Sequence, residues 1–208
     1  MIRKSSLIRR GTAVAAVGTA ALLLAACGGS GDSAAGHNGH TATSASASDS
    51  ASQGRHNAAD TAFAQGMIPH HRQAVEMADL ATSRAGSAEV KKLAEQIKQA
   101  QDPEIKTLSG WLTSWGEEVP AEGAMDHSAH GTGGMMTAEE MDQLEKSSGK
   151  TFDTAFMEMM IKHHEGAVAM AKTEKTDGAF PDAKKMADAI ITSQTAEITQ
   201  MNDLLGKS

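Results

Sequence analysis

Cysteine occurs once in this 208-residue chain, at Cys27, and tyrosine not at all. A disulfide within the chain is thereby excluded, and so is a metal site made of thiolates alone. Aromatic residues are scarce, with two Trp and four Phe, and runs of β-branched residues are scarce as well. Ala, Met, Leu, Glu, Gln and Lys dominate instead, which favours helix over strand. Basic charge is also short: Lys and Arg number 19 against 26 Asp and Glu. Four of those basic residues, Arg3, Lys4, Arg9 and Arg10, sit at the extreme N-terminus, so the remainder is more acidic still. An acidic domain argues against nucleic acid and against electrostatic docking on anionic lipid, and it suits cations. No nucleophile–base signature, Gly-rich phosphate loop or organic-cofactor motif stands out.

The apolar stretch from Ala13 to Leu24 follows that basic cluster and is too short to span a bilayer comfortably. It ends in Leu24-Ala25-Ala26-Cys27. Small residues just before a lone cysteine resemble a bacterial lipoprotein signal, which implies a signal peptide over 1–26, cleavage before Cys27 and acylation of its thiol. The expected location is therefore outside the cytoplasm, with the membrane reached through a lipid anchor only. Residues 27–58 are mostly Gly, Ser, Ala, Thr and Asp without apolar periodicity. Such a segment buries too little surface to offset its ordering entropy and reads as a flexible, disordered tether.

What the remainder does contain is a duplication. Positions 60–78 and 153–171 share twelve identities over nineteen positions, at a constant offset of 93 residues. Met67-Ile68-Pro69-His70-His71 matches Met160-Ile161-Lys162-His163-His164. Asp60 matches Asp153, Phe63 matches Phe156, and Met77 matches Met170. The offset continues without a gap: Gln101 aligns with Gln194, Glu104-Ile105 with Glu197-Ile198, and Leu112 with Leu205. Two structural units follow, repeat one over 60–112 and repeat two over 153–205, joined by a linker over 117–150.

The pattern predicts four long helices, about 60–84, 88–115, 152–176 and 182–205. Each repeat is then a helical hairpin, and two hairpins make an all-α, four-helix bundle over 59–208. Within the linker, Thr137-Ala138-Glu139-Glu140 reads as a capping box opening a short helix through Lys146. Pro69 is expected to kink the first helix, and Pro103 to divide the second into two pieces.

On a helical wheel His70 and His71 fall inside the apolar stripe set by Phe63, Met67, Ala74 and Ala78, straddling its centre. The third long helix repeats the arrangement. Buried imidazoles need hydrogen-bond partners, such as one another, water or the Glu165 carboxylate, or they need a metal. His70, His71, His163 and His164 are therefore the candidate metal ligands. Met67, Met160, Met77 and Met170, one to two turns away, are candidate thioether ligands. Imidazole alone suits several metals, whereas thioether is soft and favours copper, Cu(I) above all, over zinc or iron. Met157, Met159, Met125, His127, His130, Met135 and Met136 form a secondary set of metal-ligand candidates, several of them on the Gly-rich linker. Di-iron bundles use Glu-x-x-His, and that tetrapeptide occurs nowhere here, whereas Met-x-x-His occurs in both repeats.

These motifs, with Ala167-Val168-Ala169-Met170-Ala171 behind the second His pair, resemble an exported bacterial group, domain-of-unknown-function family three-hundred-five. The resemblance covers essentially all of 59–208 and implies a ferritin-like bundle, with copper binding and copper tolerance in some relatives. The expected function is a cell-envelope lipoprotein that binds copper, or another soft metal, for sequestration, tolerance or delivery. The alternatives are a metal-dependent oxidoreductase of ferritin-like type and a metal-free structural or interaction module. A metal ion is the expected partner, nucleic acid is not, and assembly into a homo-oligomer stays open.

Overall fold

The computed structural model describes residues 55–122 and 132–207. Among these, the regular elements are all helical: α1 (Ala58–Arg84), α2 (Ala88–Trp115), a 3-10 turn (Thr132–Gly134), α3 (Ala138–Lys146), α4 (Gly149–Asp177) and α5 (Pro181–Leu204). The expected signal peptide, Cys27, most of the tether, and Met125, His127 and His130 lie outside the described residues.

The helix ends follow from local chemistry. The Asn57 side chain accepts from the amides of Ala59 and Asp60, while the Asn57 amide donates to the Asp60 carboxylate. That reciprocal box satisfies amides which α1 would otherwise leave unpaired. Ser87 caps α2 through the Val90 amide, and α2 ends on Gly116 in the left-handed conformation at φ 74°. Thr137 and Glu140 form the box foreseen for α3. Pro181 opens α5 at a position whose amide needs no partner.

One expectation fails. Pro103 does not divide the second helix, because α2 runs unbroken from Ala88 to Trp115. Pro103 and Gln99 are both exposed, so the carbonyl that loses its partner lies on the wet side of the helix, where water can serve it. The first helix likewise continues through Pro69.

Helix α1 packs on α2 and α4 packs on α5, and the two hairpins join where α1 meets α4. Two apolar clusters fill the bundle. One gathers Phe63, Met67 and Ile68 of α1, Leu108 and Leu112 of α2, Ala167 and Ala171 of α4, and Ala187 and Ile190 of α5. The other gathers Met77 and Ala81 of α1, Leu93 and Ile97 of α2, Phe152, Phe156 and Met160 of α4, and Met201 of α5. The early part of α1 thus meets the late part of α4, so the seam is antiparallel. His70, His71, His163 and His164 fall between the two clusters. No helix among the described residues is long and apolar enough to cross a membrane.

The matched aspartates lock the seam by exchange. Asp60 of α1 accepts from the amides of Ala179 and Phe180 in the α4–α5 turn, at 2.9–3.1 Å. Asp153 of α4 accepts from the amides of Gly86 and Ser87 in the α1–α2 turn, both at 2.9 Å. Each hairpin therefore caps the turn of the other, and separating them would leave buried groups unpaired.

The exchange is unequal at one point. Glu174 of α4 stands where repeat one has Ala81, and it is buried beside Asp60. Burial, followed by the neighbouring Asp60 carboxylate, pushes the Glu174 carboxyl up to about 8, with Lys184 opposing. Burial alone would also raise Asp60, yet the amides of Phe180, Asn57 and Ala179, together with Glu174, hold it below the usual carboxylate range. Glu174 thus keeps its proton in the folded state at neutral pH, whereas the unfolded chain releases it near 4.5. The folded state binds the extra proton, so this contribution to stability is lost as pH rises from 4.5 towards 8. In Glu174→Gln the shape persists and the proton is no longer needed. Urea midpoints measured across that window should fall less steeply in the variant than in the wild type; parallel curves would remove Glu174 as the source.

Candidate metal centre

His70 and His71 are neighbours in the chain but about 100° apart around α1, so they leave it in different directions. The His70 ring meets His163 of α4, with centroids 3.7 Å apart and planes at 41°. The His71 ring turns to α2, where Nε2 lies 2.7 Å from a carboxylate oxygen of Glu104. Repeat two does the same with its second histidine: His164 Nε2 lies 2.6 Å from Glu197 on α5. All four imidazoles are buried, at 0–2% exposure.

These contacts assign the protons. A carboxylate only accepts, so Nε2 of His71 and of His164 carries the hydrogen, and in the neutral ring Nδ1 keeps its lone pair. His70 Nε2 lies 2.7 Å from the Gly133 carbonyl, another pure acceptor, which leaves His70 Nδ1 in the same condition. Neither ring nitrogen of His163 has a hydrogen-bond partner, and the same is true of Nδ1 on the other three rings.

The orphaned groups extend around the layer. Gln101 of α2 is 2% exposed and neither amide atom has a partner; the side-chain oxygen of its counterpart Gln194 on α5 is also unpaired. Buried polar groups are ordinarily satisfied, so four buried imidazoles that each keep an unpartnered nitrogen mark a place suited to hold something polar. Burial drives the His70 pKa down to about 3, with the charges of His71 and His164 adding to the effect against the Gly133 carbonyl. Burial likewise puts His163 well below its usual value, helped by His70, His164 and His71. Both rings are thus neutral at physiological pH, with lone pairs for which a metal faces no proton competition. Among the described residues, no three His, Cys, Asp or Glu side chains already converge to hold an ion. The nitrogen donors come as a tilted ring pair, His70 with His163, flanked by two His–Glu pairs.

The thioethers divide between seam and core. Met67 and Met160 are fully buried one turn before the first histidine of their pairs. Met77, Met136 and Met157 are buried in the same apolar cluster as Met160. Met170 is partly buried, and its sulfur lies 3.6 Å from where a Cβ on Gly66 would stand. Gly66 occupies the position that Met159 holds in repeat two, where Met159 is half-buried. Met135 is half-buried on the linker segment that carries Gly133.

That segment is strapped across the seam. The Gln73 amide donates to the Met136 carbonyl at 2.9 Å and accepts from the Met136 amide at 2.7 Å. The equivalent position in repeat two is Gly166, where a Cβ would come within 1.6 Å of the Gly133 carbonyl oxygen. One repeat therefore holds the strap by hydrogen bonds, and the other makes room for it by having no side chain. Earlier in the linker, Arg72 of α1 donates to the carbonyls of Pro120 and Ala121.

Glu165 is exposed, so it is not the carboxylate that serves the imidazoles. Glu104 and Glu197 take that role. Their signal was the duplication itself, which places a Glu at the same offset in both repeats, although nothing in one sequence says which helix faces would meet.

A profile described as Domain of unknown function (DUF305) matches residues 60–205. The chain belongs to the DUF305 family. Among solved structures, CopM in the Cu(II)-bound form is 40% identical with a TM-score of 0.62, covering 70% of this chain and 94% of that one. CopM in the Cu(I)-bound form is 38% identical with a TM-score of 0.58, covering 70% and 94%. A DUF305 protein from Streptomyces coelicolor, described as a candidate secreted protein, is 35% identical with a TM-score of 0.64, covering 72% and 93%. CopM is also solved in silver-bound and apo forms. No curated protein matches the chain.

His70 and His163 should not titrate in the range where a free histidine does. In NMR spectra of the copper-free protein their ring resonances should hold still between about pH 5 and 8, where an unperturbed histidine titrates. A midpoint near 6.5 for either ring would contradict the burial that the seam imposes.

Proposed function

We propose that this protein is a copper-binding protein of the cell envelope, exported and lipid-anchored through Cys27, which sequesters the ion or delivers it. The observation that carries this reading is the buried His70–His163 pair, whose unpartnered ring nitrogens are joined by the unpartnered Nδ1 atoms of His71 and His164. A donor set of neutral imidazoles with Met67 and Met160 one turn away fits a soft ion, Cu(I) in preference to zinc or iron. Copper here is cargo. His70, His71, His163 and His164 would hold it, with Met67, Met160, Met77 and Met170 favouring the reduced state. The copper- and silver-bound forms of CopM support the same chemistry in a relative. Export and anchoring are supported by the signal pattern around Leu24–Cys27 and by the description of the Streptomyces relative.

The deciding experiment equilibrates the mature chain with Cu(I) and with Cu(II), removes unbound ion and measures retained copper by elemental analysis. A variant carrying His70→Ala, His71→Ala, His163→Ala and His164→Ala is treated alongside, with circular dichroism confirming its helicity and a quadruple His→Gln variant as a second probe. The wild type should retain copper and both variants should lose it. Copper at a hundred times its Kd should also stabilise the wild type alone by ~2.7 kcal/mol. Equal retention by all three proteins would move the site to the linker and tether. For the anchor, labelled palmitate should enter the wild type in a bacterial host and be absent from Cys27→Ser.

A further inference from the structure

We propose that Glu104 and Glu197 are positioning residues of the copper site, each holding one imidazole in the tautomer whose Nδ1 is the free donor. This rests on the copper-binding reading above and names what orients its ligands.

Two independent occurrences carry the argument. In each repeat the second histidine of the pair, His71 or His164, places Nε2 at 2.7 or 2.6 Å from a glutamate on the partner helix of its hairpin. In each the imidazole is at 0% exposure, while the carboxylate reaches the edge of the bundle at 21% or 17%. In each Nδ1 is buried without a partner. A bond that served only to satisfy the ring would leave no reason for the other nitrogen to be orphaned twice at equivalent places. Buried lone pairs are the form a soft cation needs. A carboxylate accepting from the far nitrogen fixes the ring's rotation and makes the near nitrogen a stronger donor. His70 is held in the same sense by the Gly133 carbonyl, so three of the four rings present Nδ1 and only His163 is unconstrained.

Glutamine keeps the shape of the side chain and removes this one-way constraint, since an amide can turn either its oxygen or its NH2 to the ring. The variants are Glu104→Gln, Glu197→Gln and the double variant, with Glu165→Gln as an exposed control beside His164. Two readouts are taken. Nitrogen-15 NMR of the copper-free protein reads the tautomer of His71 and His164, and competition with a chromogenic Cu(I) chelator reads affinity. In the wild type and in the control both rings should carry hydrogen on Nε2, and in the variants the tautomers should mix. Cu(I) affinity should fall by about 10–100-fold in the variants and hold in the control. Hydrogen on Nδ1 in the wild type, or a double variant within about twofold of wild-type affinity, would overturn the assignment while leaving copper binding intact. A wild type that takes up no copper would instead sink the copper reading, and this role with it; the tautomer data, which need no metal, tell the two failures apart.

Discussion

Four buried imidazoles carried by α1 and α4 set the terms for everything around them. A buried ring nitrogen costs free energy unless something meets it, and a buried imidazolium costs more. The protein resolves half of that problem and leaves the other half open. Nε2 of His70, His71 and His164 is met by a carbonyl or a carboxylate, and Nδ1 of each is not. The layer divides the interior into two apolar clusters, and it is where the two hairpins touch.

That layer is unfavourable for the apo fold, so stability has to come from elsewhere along the seam. The exchanged caps supply some of it. Asp60 and Asp153 each accept from two backbone amides in the opposite hairpin's turn, one near each end of the molecule, with the histidines between them. Because each cap crosses between repeats, the hairpins cannot part without exposing the turns of both. The same crossing keeps the His70 and His163 rings in contact. The strap over 133–136 closes one side, and its fit depends on the asymmetry between Gln73 and Gly166.

The duplication is therefore used in two ways. Where the repeats agree, as at the His pairs, the Asp caps, Gln101 with Gln194 and Glu104 with Glu197, the structure is quasi-symmetric and the chemistry is doubled. Where they differ, one feature stands alone. Glu174 opposite Ala81 gives a single protonated carboxyl, and Gly66 stands beside the Met170 sulfur where repeat two carries Met159. A metal entering this layer would meet two similar but unequal halves.

Most of the fold was legible in the residues. Helix-forming composition, Gly and capping signals at the ends, and the constant repeat offset determined four long helices and a short one within a few residues of where they lie, because these are local properties. The offset also determined that Glu104 and Glu197 hold equivalent positions. Pro103 misled, since its effect depends on whether the freed carbonyl faces water, and that is decided by neighbouring helices. Only the tertiary structure decided that the second histidine of each pair turns to a glutamate on its own hairpin while the first histidines, His70 and His163, meet across the seam. Adjacent residues on a helix point about 100° apart, and which neighbour each one meets depends on how the hairpins pack, which no single helix encodes.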